Sequence, residues 1–95
     1  MAQSGNGTAV TSVEAEVMNE SADPRPSTVV VRNRAASSDP VVARVPALHG
    51  ATGGATVWPG ETVPLRVNNS GIDKLLLKTA SGTATVDWWV GAVTR

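Results

Sequence analysis

The chain has no cysteine, no phenylalanine and no tyrosine, and only three tryptophans among its 95 residues. Without cysteine it cannot form the disulfides on which many small secreted domains depend. Its apolar fraction is ordinary at 41%, but valine, alanine and leucine supply most of it. We therefore expect one small domain with a thin core, stabilised by packing, by a partner or by oligomerisation.

Net charge is also lacking, because 8 basic residues balance 8 acidic ones. Nucleic-acid binders and proteins of anionic membrane surfaces usually carry a basic patch, so we expect neither kind of partner. No stretch approaches the roughly 18 apolar residues of a membrane span, and the first residues lack the basic and apolar regions of a signal peptide. The sequence thus predicts a soluble protein made in the cytoplasm. A neutral chain also suits a subunit that is permanently assembled.

Groups of catalytic or metal-binding residues are missing as well. His49 is the only histidine, and a triad drawn from His49, Ser70 and Asp73 has no support in their spacing. One histidine without cysteines does not make a structural zinc site. The glycine-rich stretch from Gly50 to Ala55 matches neither a phosphate-binding loop nor a dinucleotide fingerprint. We expect no catalytic, cofactor or metal site and no enzymatic activity.

What the chain does contain is a series of short β-branched segments between turn signals. In chain order these segments are STVVVRNR, VVARVP, TVW, TVPLRV, IDKLLLKTA and TATVDWWV. Such a series, with no convincing amphipathic helix after Ser27, predicts an all-β fold, a small antiparallel β-sandwich or a jelly-roll-like domain. Pro64 favours an edge position for its strand. The Ser81-Gly82 pair predicts a tight hairpin between the last two strands.

The N-terminal part is polar and differs in character from the rest. We expect an extended arm over residues 1–24 and a β-sandwich domain over residues 25–95. Within the arm, a capping box that begins at Thr11 indicates a short helix. The alternation of Val13 and Val17 with glutamates indicates a strand instead. Both alternatives stay open, with an extended arm or edge strand favoured.

The two adjacent tryptophans near the end of the chain are separated by strand alternation, because neighbouring side chains point to opposite faces. Trp88 shares its face with Val86 and Val90, so we expect it in the core. Trp89 shares its face with Asp87, so we expect it outside. An exposed tryptophan is typical of a contact surface. Its cover is either a partner or sister subunit, or the N-terminal arm or a neighbouring loop of the same chain.

A second apolar residue is expected outside. Leu76 lies between Lys74 and Lys78 on one face of its strand. Because a tight turn would make the last two strands neighbours, we expect Leu76 and Trp89 on one outer face. Trp58, just before a Pro-Gly turn, is expected to be a core residue. The predicted interface residues are Trp89, Leu76, Val13, Val17 and Met18.

Four segments together resemble a known family. They are a V-x-V-x-N segment at Val29, Val31 and Asn33, a Pro-Gly turn and strand from Pro59 to Leu65, a leucine-bearing strand from Ile72 to Lys78, and a closing strand from Gly82 to Trp88. This layout, which covers about residues 28–90 and follows a polar arm, resembles the jelly-roll cement or decoration proteins of tailed-phage capsids. The arm itself has no counterpart in a fixed motif.

The resemblance implies a structural virion protein. Such a protein is a homo-oligomer, with a trimer favoured, that is made in the host cytoplasm. It binds the major capsid protein on the outer capsid surface, where many small contacts resist the pressure of packaged DNA. A second hypothesis is a carbohydrate- or receptor-binding β-sandwich of a phage fibre or adhesin, in which Trp89 stacks on a sugar ring. A third, weaker hypothesis is a small hydrolase that uses His49.

Overall fold

The computed structural model of the protein describes residues 4–19, 26–50, 53–67, 72 and 74–93. These residues form eight strands and one helical turn. The strands are β1 (Ser4–Val10), β2 (Ala15–Asn19), β3 (Pro26–Asn33), β4 (Val41–Arg44), β5 (Ala55–Val57), β6 (Thr62–Arg66), β7 (Lys74–Thr79) and β8 (Ala84–Val93), and the helical turn is α1 (Pro46–His49). Within this described part, no helix has the length and apolar character needed to cross a membrane.

The strands form two four-stranded antiparallel sheets. Sheet A has the strand order β1-β8-β3-β6, and sheet B has the order β2-β7-β4-β5. The first of these strands pairs with the last, the second with the second to last, and so on inward to β4 and β5. The chain is therefore one long hairpin, rolled up so that β3 also pairs with β8 and β4 also pairs with β7. The prediction of an all-β antiparallel fold is confirmed.

A single apolar core lies between the two sheets. Alternate residues of each strand face it, as the two-residue side-chain period of a strand requires. Sheet A supplies Val29, Val31, Val86 and Trp88, and sheet B supplies Val41, Ala43, Leu75 and Leu77. The inward faces predicted for the last two strands are confirmed, with Trp88 in the core and Trp89 outside.

The N-terminal segment belongs to both sheets. β1 pairs with β8 and places Val10 in the core with only 2% of its surface exposed. β2 pairs with β7, which follows the strand alternative and not the helical one. The arm predicted over residues 1–24 is therefore corrected where the structure describes it, because residues 4–10 and 15–19 are strands of the sandwich. The rest of that predicted arm lies outside the described residues.

The connection between β7 and β8 differs from the predicted hairpin. The two strands lie in different sheets, so residues 80–83 cross one end of the sandwich. The Thr79 hydroxyl donates a 2.6 Å hydrogen bond to the carbonyl of Gly82 within this crossing. The physical reason is that both strands have an apolar face. With Leu77 in one sheet and Trp88 in the other, these faces bury each other.

The edges of both sheets carry features that disfavour pairing with a further strand. The registers of β1 and β2 are irregular, between Gly5 and Thr8 and between Glu16 and Met18. β5 is only three residues long. β6 contains Pro64, which has no N–H to donate, and its edge position confirms the prediction made from that proline. The outer faces of the sheets are therefore better suited to association than the edges.

Candidate functional site

A row of apolar residues crosses the outer face of sheet A. Val30 of β3 lies directly across from Trp89 of β8 on one side and from Pro64 of β6 on the other. Neighbouring strands are about 4.8 Å apart, so these three residues, called the Trp89 row, span roughly 10 Å. Trp89 is 39% exposed, Pro64 is exposed and Val30 is half-buried. The row is an apolar surface open to solvent.

Two arginines lie on either side of this row. Arg32 is two residues beyond Val30 on β3, and Arg66 is two residues beyond Pro64 on β6, on the opposite side of the row. Both side chains are on the outer face and exposed. Neither arginine forms a salt bridge with another residue that the structure describes. Arg32 lies across from Asp87 and contributes to lowering the pKa of that carboxyl without bonding to it.

The only acidic side chain that the described residues place on this face is already engaged. Asp87 accepts two hydrogen bonds from the Arg34 guanidinium, at 3.0 and 2.9 Å, and a third from the N–H of Gly7, at 2.8 Å. Arg34 also donates to the side-chain oxygen of Asn6 at 3.0 Å. The bonds from Arg34, followed by that from Gly7, hold the pKa of Asp87 below its ordinary value. Asp87 therefore stays ionised and paired, and Arg32 and Arg66 leave the face with an excess of positive charge.

The outer face of sheet B differs, because most of its described charges pair with one another. Arg44 donates to both carboxylate oxygens of Glu14, at 3.2 and 2.8 Å, and to the carbonyl of Gly50 at 2.8 Å. The hydrogen bonds from Arg44 to the carboxylate lower the pKa of Glu14. Lys74 lies 3.9 Å from a carboxylate oxygen of Glu16. Lys78, which is exposed on the same face, is in no salt bridge with a described residue, so this face is nearly but not fully balanced in charge.

Leu76 belongs to that second face, so the prediction that it lies beside Trp89 is wrong. It is half-buried on β7, directly between Glu16 of β2 and Arg44 of β4. The error follows from the mistaken hairpin, since two strands in different sheets point their outer side chains in opposite directions. Alternation identified the outward residues correctly, but it could not assign the strands to sheets.

The structure separates the other predicted interface residues from Trp89. Val13 is 73% exposed, in the loop between β1 and β2. Val17 is partly buried and packs against the core from β2. Met18 pairs with Leu75 in the backbone register of sheet B, and its side chain lies outside the described residues. The described part of the N-terminal segment lies at the sheet edges and does not cover the Trp89 row.

Trp58 is 58% exposed, so its predicted place in the core is wrong. It begins a turn in which its N–H donates to the Glu61 carboxylate at 3.1 Å, while the Glu61 N–H donates to the Trp58 carbonyl at 2.8 Å. Gly60 has a φ of 87° in this turn, which suits glycine after proline in a type II turn. Val57 fills the core position next to it. Trp58 is therefore presented on a hydrogen-bonded turn at one end of the sandwich.

Asn33 is a fully buried polar residue that the sequence places on the inward face of β3. Its amide nitrogen donates to the carbonyls of Asp39 and Val57, both at 2.9 Å. Its backbone N–H donates to the carbonyl of Glu61, and its carbonyl accepts from the Gly60 N–H. Asn33 thus holds the end of β3 against the Trp58 turn, which is a structural role. The sequence pattern V-x-V-x-N indicated this position, because Asn33 alternates with Val29 and Val31 on the same inward face of the strand.

His49 and Ser37 form structural hydrogen bonds, whereas Ser70 and Asp73 lie outside the described residues. His49 accepts a hydrogen bond at Nδ1 from the N–H of Val45, at 3.0 Å, and so closes the helical turn α1. In the described part of the chain, no three His, Cys, Asp or Glu side chains come close enough to hold a metal ion. A cleft of about 240 Å³ runs between Arg34, Ser37 and Thr85. The Ser37 hydroxyl is bonded there to the backbone of Thr85.

Comparison with known proteins adds no relative. No protein-family model, no curated protein and no solved structure matches this chain. Among the surfaces that the structure describes, the Trp89 row with its two arginines combines exposed apolar and charged side chains on one sheet face.

Proposed function

We propose that the sandwich is a jelly roll and that this protein is a structural subunit of a virus particle, a cement or decoration protein of a tailed-phage capsid. The observation that carries the proposal is the strand order. Eight strands that pair as one rolled hairpin, first with last and fourth with fifth, are the arrangement expected of a jelly roll, which occurs in viral capsid and lectin domains. Because a fold alone does not imply a function, the proposal also depends on the exposed residues of the sheet faces.

The surface supports attachment through a face. Trp89 is exposed at the centre of sheet A's outer face, and tryptophan and arginine are enriched among the residues that dominate protein interfaces. The interrupted strand edges turn association away from edge-to-edge pairing. In this proposal the partner is the major capsid protein, the location is the outer capsid surface, and the contribution is mechanical and not enzymatic.

We further propose that the protein acts as a homo-oligomer, with a trimer favoured, after synthesis in the host cytoplasm. The core of this chain is made mostly of valine, alanine and leucine, and its formal net charge is zero. Burial between subunits would add to the stability that such a core provides. It would also reduce the exposed surface of a neutral chain.

A second candidate function is favoured by Trp58. A hydrogen-bonded turn presents this ring at one end of the sandwich with 58% of its surface exposed, and an exposed aromatic ring can stack on a sugar. This arrangement fits a carbohydrate- or receptor-binding module of a phage fibre or adhesin. The two candidates differ in which tryptophan makes the contact and in the partner's chemistry.

Cosedimentation with assembled shells tests the main proposal. The purified full chain is mixed with decoration-free shells of tailed-phage major capsid proteins, and the pelleted fraction is measured as its concentration rises. We expect saturable binding at a fixed ratio to the capsid subunits, and a light-scattering mass of three chains for the free protein. Binding to a glycan array with none to any shell would favour the second candidate and contradict the first.

A further inference from the structure

We infer that the outer face of sheet A docks an acidic protein surface, with an apolar side chain of the partner on the Trp89 row and partner carboxylates on Arg32 and Arg66. The inference rests on the proposed function only for the identity of the partner as a capsid protein. The chemistry of the docking surface follows from the face itself.

The outer face of sheet A has an apolar centre with a charged group on each side. The Trp89 row is central and exposed, with one arginine beyond each side of it. From a rise of about 3.4 Å per residue and a strand spacing of about 4.8 Å, the Cα atoms of Arg32 and Arg66 lie roughly 14 Å apart. An apolar centre within a polar rim is the usual anatomy of a protein–protein interface. The spacing sets how far apart the partner's carboxylates must be.

The described charges on the outer face of sheet A are mainly positive. Although the whole chain is neutral, the outer face of sheet A is positive, because its one described carboxylate, Asp87, is bonded to Arg34. The described charges of sheet B's outer face are closer to balance, since Arg44 pairs with Glu14 and Lys74 with Glu16, which leaves Lys78 as its one cation outside a salt bridge. Charge complementarity therefore selects an acidic partner, and it selects sheet A over sheet B. Arginine suits this contact because its planar guanidinium binds carboxylates through two parallel hydrogen bonds.

Three other occupants fit the outer face of sheet A less well than an acidic protein surface does. A second copy packed on this face about a two-fold axis would bring Arg32 and Arg66 against the same arginines, which is unfavourable. A nucleic acid needs a track of several basic residues along its phosphates, whereas here an apolar row separates two arginines. A sugar would use the tryptophan but would leave both arginines without a partner. An acidic protein surface satisfies all the groups.

The three tryptophans provide an NMR test, since each indole N–H gives one resonance and each ring has a different environment. Protein labelled with ¹⁵N in tryptophan is titrated with a soluble random copolymer of glutamate and tyrosine, and separately with maltohexaose and a single-stranded oligonucleotide. We expect the copolymer to shift the Trp89 resonance while Trp58 and the buried Trp88 stay in place. A copolymer shift confined to Trp58, or stronger binding of the sugar or oligonucleotide at Trp89, would overturn the inference.

Paired variants test the charges. Arg32→Gln with Arg66→Gln removes two positive charges from sheet A, and Lys74→Gln with Lys78→Gln removes two from sheet B. All four side chains are on outer faces and partly or fully exposed, and unchanged circular dichroism would confirm folding. We expect the arginine pair to weaken copolymer binding at least tenfold and the lysine pair to change it less than twofold. Equal losses for both pairs would mean unspecific attraction and overturn the inference.

Shell binding separates this inference from the proposed function. If the copolymer binds at Trp89 but no shell is bound, the docking surface stands and the capsid function fails. If shells bind equally well to wild type and to the arginine pair, the capsid function stands and the docking surface is refuted.

Discussion

Val10 provides a quantitative test of how the N-terminal segment contributes to the fold. Its side chain is 2% exposed and lies in the core at the end of β1, across from Ala84 of β8. Val10→Ala removes two carbon groups worth about 0.8 kcal/mol each on transfer to water. The cavity left behind raises the loss to about 2–3 kcal/mol. For a domain of this size the melting temperature should fall by roughly 10–20 °C.

The same substitution at Val13 is a matched control three residues away. Val13 is 73% exposed, so Val13→Ala should change the free energy of unfolding by less than about 0.5 kcal/mol. Urea unfolding followed by tryptophan fluorescence measures both variants, and the slope of the transition shows whether the unfolded state has changed. If Val10→Ala is as stable as Val13→Ala, then β1 is not part of the core and residues 1–24 form a separate arm after all.

Three further predictions follow from individual contacts. Gly5→Ala should destabilise the fold by about 1–3 kcal/mol, because a Cβ at Gly5 would overlap the indole of Trp88; chemical denaturation measures the loss. Asn33→Asp should cost about 3 kcal/mol or more, since it replaces two buried amide donors with a carboxylate facing two carbonyl oxygens; wild-type stability would refute that bonding. The pKa of Asp87 is lowered in the folded state. Asp87 therefore stabilises the fold at pH values above its ordinary pKa near 4, and this stabilisation is lost as the pH falls through the folded-state pKa. The melting temperature of Asp87→Asn should therefore be lower at pH 7 and fall less than that of wild type on acidification.

Side-chain alternation was sufficient to assign most residues to the core or to the surface. The period of two in β7 and β8 separates Leu75 and Leu77 from Leu76, and Trp88 from Trp89, and the observed burial agrees with it. This worked because a one-residue shift would expose the whole apolar face of a strand. Local pattern therefore carries the information on which way a side chain points.

The partner of each strand could not be predicted in the same way. A short loop with glycine permits either a hairpin or a crossing to the other sheet, and only the joint burial of two apolar faces decides between them. The position of β1 depends on contacts far apart in sequence, such as Gly5 against the indole of Trp88. Trp58 was misplaced because a turn closed by Glu61 points its ring outward. The strand pairing and the position of β1 are tertiary effects that local sequence does not contain, whereas the turn from Trp58 to Glu61 is a local contact whose effect on the ring was not predicted.

We propose that Trp89 makes the contact by which this protein attaches to a capsid. Equilibrium cosedimentation with decoration-free shells, for wild type, Trp89→Ala and the control Trp58→Ala, tests it most directly. A central interface tryptophan contributes about 2 kcal/mol or more, so Trp89→Ala should weaken binding roughly 30-fold. Trp58→Ala should weaken it less than about threefold, with both variants folded. Unchanged affinity of Trp89→Ala, or a loss confined to Trp58→Ala, would contradict the claim.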